Sequence, residues 1–382
     1  MPEAETYRKL NDIDLVDISL ESDQGGKTSI LEMCKHVSIY EDIYSPCLTG
    51  YAYISDSMAL INHFPINGHE SFIIKFRTPG IGSSVITLKF EVYSVTDRFK
   101  ANNERTEMYR INFISKGYRF SEIQRISRSY EGKISNIVKN IIEDYFPEDT
   151  KYLIQETKNE NKFVIPNLKP MDAIKWLAEM SMSESQPHDT NFVFYESLDH
   201  YNFISMGKLS TSSAAREYTM KPTGIRDGKN NILDKFLNVQ AFENGKDFNR
   251  AEDAYHGLYS SRLWTHDITT KEWGMQAFNY RNSFEEGNHV EEHPILPTLS
   301  KHTMSFNGPS YFKPKQIGQF SELREEETYK PEEWFLKRKS SVGTFGNKII
   351  NVKIAGDSRL RAGEVAKITI PSNEPLSAYD HD

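Results

Sequence analysis

The residues best spaced for catalysis are His289-Val290-Glu291-Glu292-His293, which match the H-x-x-E-H pattern of an inverted zinc-protease motif. Two histidines four positions apart bind one zinc ion only when a helical turn brings them to the same face. Here Gly287-Asn288 precedes the motif, Pro294 follows it directly, and the segment has no apolar stripe. We therefore interpret the motif as a solvated polar loop, and zinc analysis of the purified protein tests that interpretation.

A second set of candidate ligands is the acidic sequence Glu325-Glu326-Glu327 together with Glu332-Glu333. Such a group of carboxylates can bind a divalent cation, but acidic runs on polar helices are usually solvated faces. The histidines, such as His36, His63 and His69, are scattered along the chain. No serine, histidine and aspartate triad can be assembled from their positions in the sequence. We interpret the acidic sequence as the solvent-exposed face of a polar helix.

The sequence carries none of the common nucleotide-binding or hydrolase motifs. It has no G-x-S-x-G elbow, no P-loop and no G-x-G-x-x-G, and Gly80-Ile81-Gly82 indicates only a turn. A cell-wall hydrolase needs a carboxylic acid in a cleft, and no Asp or Glu stands in a recognisable catalytic setting. We therefore predict that the protein is not an enzyme, with no catalytic, cofactor-binding or metal-binding residues and no cofactor.

Composition and charge argue against several other classes of protein. The 382 residues carry a net charge of −8, from 46 basic and 54 acidic residues, and no dense basic patch suits tight nucleic-acid binding. The mean hydropathy is −0.60 and no run of about 18 apolar residues occurs, so we expect no membrane insertion. Cys34 and Cys47 form no C-x-x-C pair and are predicted core fillers. The first residues lack a secretory signal, which predicts assembly in the cytoplasm.

The elements that would position any site begin with a β-rich segment, residues 1–116. Val85–Val95 alternates apolar and polar residues, which is typical of a strand with one face on a core. Turn sequences such as Asn67-Gly68 separate the strands. The predicted strands are Leu15–Leu20, Ser29–Ile39, Cys47–Ile54, Phe72–Arg77, Val85–Tyr93 and Tyr109–Ser115.

The hydrophobic period then changes, and residues 117–206 are predicted to form a small α+β unit. Apolar residues at helical spacing predict a helix near 133–146, which Pro147 ends. A second helix, near 170–182, begins at Pro170, because proline favours the first helical turn. The segments Asn191–Tyr195 and Tyr201–Ser205 are the predicted arms of a hairpin over 191–205.

The remaining residues, 207–382, return to β structure after an irregular stretch. Four prolines and the absence of periodicity in 284–315 predict a long, loop-rich surface excursion. The other predicted elements are strands at Leu233–Phe242, Gly257–His266, Lys348–Ile354 and Glu364–Pro371, and a polar helix around Phe320–Ser340. The pattern indicates an α+β protein that is mainly β.

Several sequences, in the same order along most of the chain, resemble the baseplate central hub proteins of contractile-tailed bacteriophages, a family related to the hub segment of type VI secretion spikes. The early hairpin carries Glu41-Asp42-Ile43 before a second strand that ends in Asp56, and Asn67-Gly68-His69-Glu70 is similar to the next loop. The other similar sequences are 170–177, 191–196, 257–267, 351–358 and 360–365. The family usually continues into one more hairpin after Gly363-Glu364-Val365. Either the sequence is a truncated form, or the second barrel closes differently.

The resemblance implies two antiparallel tube-like β-barrel domains, 1–116 and 207–382, flanking the α+β domain 117–206. Three such chains would form a ring of six barrels that adapts a hexameric tail tube to a trimeric central spike around the DNA channel. The implied partners are the chain itself as a homotrimer, the tail tube protein, the central spike protein and other baseplate proteins, with DNA only in transit. The implied location is the tail baseplate of the virion. We further hypothesise a lumen lined by acidic or neutral side chains, because these would not bind the passing phosphates.

Three other readings remain open. The first is the hub of a related contractile injection or secretion system, which a fused spike or effector would distinguish. The second is a zinc-dependent or cell-wall hydrolase, which metal content and a peptidoglycan-degradation assay would reveal. The third is a monomeric carbohydrate- or ligand-binding β-protein, which light scattering after size-exclusion chromatography would identify.

Overall fold

The computed structural model describes residues 13–23, 25–64, 66–78, 84–101, 106–158, 160–186, 188–220, 237–268, 271–286, 308–314, 330–346 and 348–370. The fold is mainly β with few helices, as the sequence predicts. It begins with a seven-stranded sheet, continues through a small α+β unit, and then forms several short sheets, one of which packs on a long helix.

The seven-stranded sheet is antiparallel throughout and curls into a half-barrel. Its strands are β1 (Asp14–Glu21), β2 (Lys27–Ser29), β3 (Cys34–Tyr40), β4 (Thr49–Asp56), β5 (Ser71–Arg77), β6 (Ile86–Lys100) and β7 (Glu107–Ser115), with the short helix α1 (Leu60–His63) between β4 and β5. The strands are ordered β2-β1-β5-β6-β7-β4-β3. Within the described residues, β2 and β3 therefore lie at opposite edges and do not pair.

The core of this sheet comes from the inward positions of the alternating strands. Phe72 and Phe113 are fully buried and stack with ring centroids 4.3 Å apart. A side chain at Gly50 would lie 2.3 Å from the Phe113 ring, so glycine there makes room for the aromatic pair. Burial of large side chains of this kind is the main force that stabilises the sheet.

One strand prediction in this region is wrong. Ser29–Ile39 is not continuous, because a turn between Ile30 and Met33 separates β2 from β3. The carbonyl oxygen of Ile30 accepts hydrogen bonds from the N–H groups of Met33 and Cys34, and the Ile30 side chain is fully buried. The apolar residue that suggested a strand instead anchors the turn.

The α+β unit contains the predicted helices and hairpin. Its elements are α2 (Lys116–Ile123), β8 (Ser129–Lys133), α3 (Ile134–Tyr145), β9 (Tyr152–Ile154), β10 (Glu160–Val164), α4 (Pro170–Glu179), β11 (Phe192–Glu196), β12 (Tyr201–Ser205) and α5 (Met206–Ser210). Helix α3 presents its apolar stripe to a core that it shares with α4 and β11. The second helix ends at Glu179, slightly before its predicted end.

The C-terminal region is built from short sheets. Its elements are β13 (Arg216–Thr219), β14 (Ala241–Lys246), α6 (Arg250–Tyr255), β15 (Ser260–His266), β16 (Trp273–Asn279), α7 (Tyr280–Ser283), β17 (Ser310–Pro314), α8 (Pro331–Phe345), β18 (Ile349–Lys353) and β19 (Ala366–Thr369). These strands form three separate sheets, β13-β19, β14-β18 and β16-β15-β17. The second tube-like barrel remains a prediction.

Three boundary predictions in this region need correction. The predicted excursion 284–315 lies mostly outside the described residues, at 287–307 and 315. Its described segment 308–314 contains a strand, because β17 pairs in parallel with β15 and the Tyr311 ring packs 5.4 Å from Phe335. The helix predicted around Phe320–Ser340 lies outside the described residues up to 329, and the described helix begins at Pro331 and continues past Ser340 to Phe345. The strand predicted over Leu233–Phe242 begins only at Ala241 in the described residues.

Candidate assembly interface

Of the sequence motifs with possible metal chemistry, only Glu332-Glu333 lies in the described structure. His289–His293 and Glu325–Glu327 lie outside the described residues. Glu332 and Glu333 occupy the first turn of α8, where carboxylates favour the helix dipole, and Glu332 accepts a hydrogen bond from Thr265 Oγ1 at 3.0 Å. Among the described residues, no three His, Cys, Asp or Glu side chains are grouped to hold a metal ion. No described helix is both long and apolar enough to span a membrane.

The best-defined polar cluster lies where the first sheet meets the α+β unit. The Glu41 carboxylate, in the turn after β3, accepts a hydrogen bond from the N–H of Leu198 at 2.8 Å. In return, Glu196 at the end of β11 accepts one from the N–H of Leu48 at 3.0 Å. Burial raises the pKa of Glu41 and raises that of Glu196 to about 7. Each region thus supplies a carboxylate to a backbone donor of the other.

The C-terminal region joins the same cluster through Arg361. Its guanidinium donates to both carboxylate oxygens of Asp199, at 2.6 and 3.2 Å, and this bond lowers the pKa of Asp199. Nearby, the N–H of Ser358 donates to Thr78 Oγ1, at the end of β5, at 2.9 Å. All three regions of the chain therefore meet around the turn between β11 and β12.

A second connection holds α8 against the α+β unit. Arg338 donates from one nitrogen to the carbonyl oxygens of Ala178, Thr190 and Phe192, at 3.1, 3.0 and 3.2 Å. Arginine carries several donors in a fixed plane, so one side chain can satisfy backbone acceptors from two elements. This contact, together with the apolar cluster of Leu263, Trp334 and Met182, fixes the position of the β16-β15-β17 sheet relative to the unit.

The first sheet offers open edges for assembly. The seven-residue strand β3 pairs with β4 on one side and with no described strand on the other. At the opposite edge β2 has three residues and covers only Ser19–Glu21 of β1. The outer edge of 14–17 on β1 is therefore not covered by another described strand. Unpaired edges are sites at which another chain can add a strand.

Aromatic side chains and an arginine lie on the outer face of the same sheet, next to the β3 edge. Tyr51 is central, with ring centroids 5.8 Å from His36, 6.1 Å from Tyr40 and 5.4 Å from Tyr53. The guanidinium carbon of Arg110 lies 4.1 Å from the centroid of the Tyr51 ring. We call these five residues the tyrosine cluster. Tyrosine and arginine are enriched at the centres of protein interfaces.

Comparisons with known proteins show what the chain is similar to. No protein-family model matches the sequence. The chain is 24% identical over 246 residues, 62% of its length, to the probable baseplate hub protein gp334 of Vibrio phage KVP40. The resemblance to baseplate hub proteins is thereby confirmed. The match spans 56% of that hub protein, so just over half of the relative has a counterpart here.

Two solved tail proteins are similar in structure to this chain. A tail protein from Neisseria meningitidis MC58 aligns over 93% of the chain and 86% of its own, with a TM-score of 0.52 and 8% identity. The 43 kDa tail protein of prophage MuSo2 from Shewanella oneidensis aligns over 93% and 88%, with a TM-score of 0.49 and 9% identity. At 8% identity, the first of these supports a shared fold alone.

The sequence analysis named no interface residues. The tyrosine cluster and the contacts of the Glu41 and Glu196 carboxylates were found only in the structure. The alternation of aromatic residues at Tyr51 and Tyr53 is a signal that the sequence does contain, since such positions share one face of a strand. The partners of Glu41 and Glu196 had no such signal, because they lie about 150 residues away along the chain.

Proposed function

We propose that the chain is a structural subunit of a phage baseplate hub. Three copies form a ring that adapts the hexameric tail tube to the trimeric spike and surrounds the DNA channel. Residues 1–116 and 207–382 supply the two barrels of each copy, and 117–206 lies between them. The observation that carries this proposal is the curled sheet whose β3 edge is unpaired beside the tyrosine cluster.

Edge geometry supplies the mechanism of assembly. An exposed strand edge carries backbone N–H and C=O groups that another strand can satisfy. In a ring, each contact joins two different surfaces of the same chain, and a fixed rotation between copies closes the assembly. The neighbouring copy therefore completes the half-barrel, and the tyrosine cluster adds large buried contacts beside the paired strands.

The gp334 relative supports the hub role, because it is described as a probable baseplate hub protein. The match covers only 56% of that relative, so the role of the whole protein is part of this proposal. The location that follows is the virion tail, with assembly in the host cytoplasm. Tail tube, spike and other baseplate proteins are the partners, and DNA only passes through. The role requires no catalysis, cofactor or membrane insertion.

Light scattering after size-exclusion chromatography tests the proposal. We expect the wild-type chain to form trimers and to bind purified tail tube and spike proteins. Tyr40→Glu places a charge at the β3 edge, where Tyr40 is half exposed, and should convert the trimer to monomer. Tyr93→Glu is the matched control, because Tyr93 is similarly exposed but lies on the central strand β6. A wild-type monomer that binds neither tube nor spike contradicts the hub role.

A further inference from the structure

The outer face of the sheet β16-β15-β17 carries an unusual group of exposed apolar side chains. Trp264 on β15 lies opposite Met275 on β16 and Phe312 on β17, and the next pair on this face joins His266 to Trp273. The exposed fractions of Trp273, Met275 and Phe312 are 63%, 55% and 68%. We call these five residues the aromatic face.

The sheet does not need this face for its own core. Its other face buries Leu263 against Trp334 and Leu336 of α8. Thr265 on that buried face donates to Glu332 of the same helix. Single exposed apolar residues are common on protein surfaces, whereas contiguous groups on one face mark interaction sites. The aromatic face is therefore available to bind a complementary protein surface.

The charges on this face restrict what can bind. Arg262 lies on the same face as Trp264, and the His266 ring stacks on Trp273 with centroids 4.2 Å apart. The described positions on this side of β15, β16 and β17 contain no Asp or Glu. The complementary surface is thus an apolar one that carries a carboxylate for Arg262.

The chain itself presents such a surface at the open edge of β1. Ile13 and Val16 are 54% and 44% exposed there, beside Asp14 and Asp17. Asp14 is already paired with Arg77 at 2.7 Å, whereas Asp17 accepts only long hydrogen bonds from Ser19 and Ser29, both at 3.4 Å, within the described residues. Lys75 lies opposite Asp17 on β5 but forms no ion pair with it. Asp17 is therefore the carboxylate best placed to accept a new cationic partner.

The opposite edge of the first sheet has the wrong charge for this role. Strand β3 carries Lys35, which is exposed and shares the sign of Arg262. Like charges across an interface disfavour association, and opposite charges favour it. Charge complementarity therefore selects the β1 edge over the β3 edge as the surface opposite the aromatic face.

We propose that the aromatic face of one copy binds the β1 edge of a second copy around residues 13–17, with Arg262 facing Asp17 of the neighbour. This inference rests on the proposed function as a ring subunit and names one contact of that ring. The two surfaces are different parts of the same chain, so the contact is heterologous and can repeat around a closed ring.

Sedimentation velocity of point variants tests this contact. Trp273→Ser should weaken self-association about tenfold or more, because buried aromatic residues dominate binding at interface centres. Tyr255→Ser is the matched control, since Tyr255 on α6 is 78% exposed and outside the aromatic face. Equal self-association of Trp273→Ser and wild type would overturn the proposal.

A charge exchange tests the contact independently of folding. Arg262→Glu and Asp17→Lys should each weaken self-association, and the two changes together in one chain should restore it. If the single variants weaken association but the combination does not restore it, the pairing is wrong. If Trp273→Ser leaves the trimer intact but abolishes tube or spike binding, this contact is excluded while the hub function stands. A wild-type chain that neither trimerises nor binds tube or spike contradicts the hub function itself.

Discussion

The seven-stranded sheet and the three-stranded sheet β16-β15-β17 leave different surfaces uncovered. The first sheet buries its inner face with its own side chains, among them Phe72 and Phe113, and leaves a strand edge open. The second relies on α8 to cover its inner face and leaves the aromatic face exposed. In both sheets, the residues that form the core are distinct from the exposed ones that we propose for assembly.

The two sheets differ in size and in what covers their inner faces. The first sheet pairs β1 with β5 and β4 with β7, which lie 50 or more residues apart, and its seven strands supply the apolar side chains that fill its own core. The second sheet pairs β15 in parallel with β17, which requires a long connection, and its three strands are covered by α8 on one face. The other face of this small sheet is the one that we propose for a partner.

The largest expected effect comes from opening the core of the first sheet. Phe113→Ala removes a fully buried ring stacked on Phe72 and should lower the free energy of unfolding by roughly 4 kcal/mol. Phe312→Ala, on the aromatic face, should change it by less than about 0.5 kcal/mol. Urea denaturation of both variants measures the difference. A larger loss for Phe312→Ala would reverse the assignment of stability to the first sheet.

A smaller effect should follow from loosening the attachment of α8. Arg338→Met keeps the length of the side chain but leaves the carbonyl oxygens of Ala178, Thr190 and Phe192 without this donor. Because hydrogen bonds from a charged donor contribute more than neutral ones, we expect the free energy of unfolding to fall by roughly 2–3 kcal/mol. Urea denaturation measures this change. The neighbouring exposed Lys339→Met is the control and should have little effect. Equal stability of the two variants would mean that packing alone holds α8 in place.

The smallest of the three effects concerns the junction and depends on pH. Burial raises the pKa of Glu196 from 4.5 to about 7, so the folded protein holds its proton more tightly than the unfolded chain. The contribution of Glu196 to stability is therefore greatest below pH 4.5 and falls as the pH rises to about 7. Glu196→Gln should remove this slope and raise the free energy of unfolding at pH 8 by roughly 2 kcal/mol.

Urea denaturation at pH 5 and pH 8 measures this change. The exposed Glu148→Gln is the control and should keep the wild-type slope. A Glu196→Gln variant that is less stable than wild type at pH 8 would show that the charged bond to the Leu48 N–H outweighs the cost of burial.

Local patterns predicted most of the regular elements. Alternation along β6, the apolar stripe of α3 and Pro170 at the start of α4 each depend on neighbouring residues, and the structure confirms all three. The failures have local causes too. Ile30 looks like a strand residue in sequence, yet its buried side chain anchors a turn, and the proline-rich stretch hides β17 because a parallel pair leaves no hairpin signal.

The sequence by itself determined the mainly β character, the helices α3 and α4 and the resemblance to baseplate hub proteins, because these depend on residue type and spacing along the chain. Only the tertiary structure decided which strands are at the edges, which partners Glu41, Glu196 and Arg338 have, and that Trp273, Met275 and Phe312 share an exposed face. The physical reason is that burial and hydrogen bonding join residues far apart in sequence. Such contacts depend on the packed arrangement of the whole chain and leave no periodic mark on it.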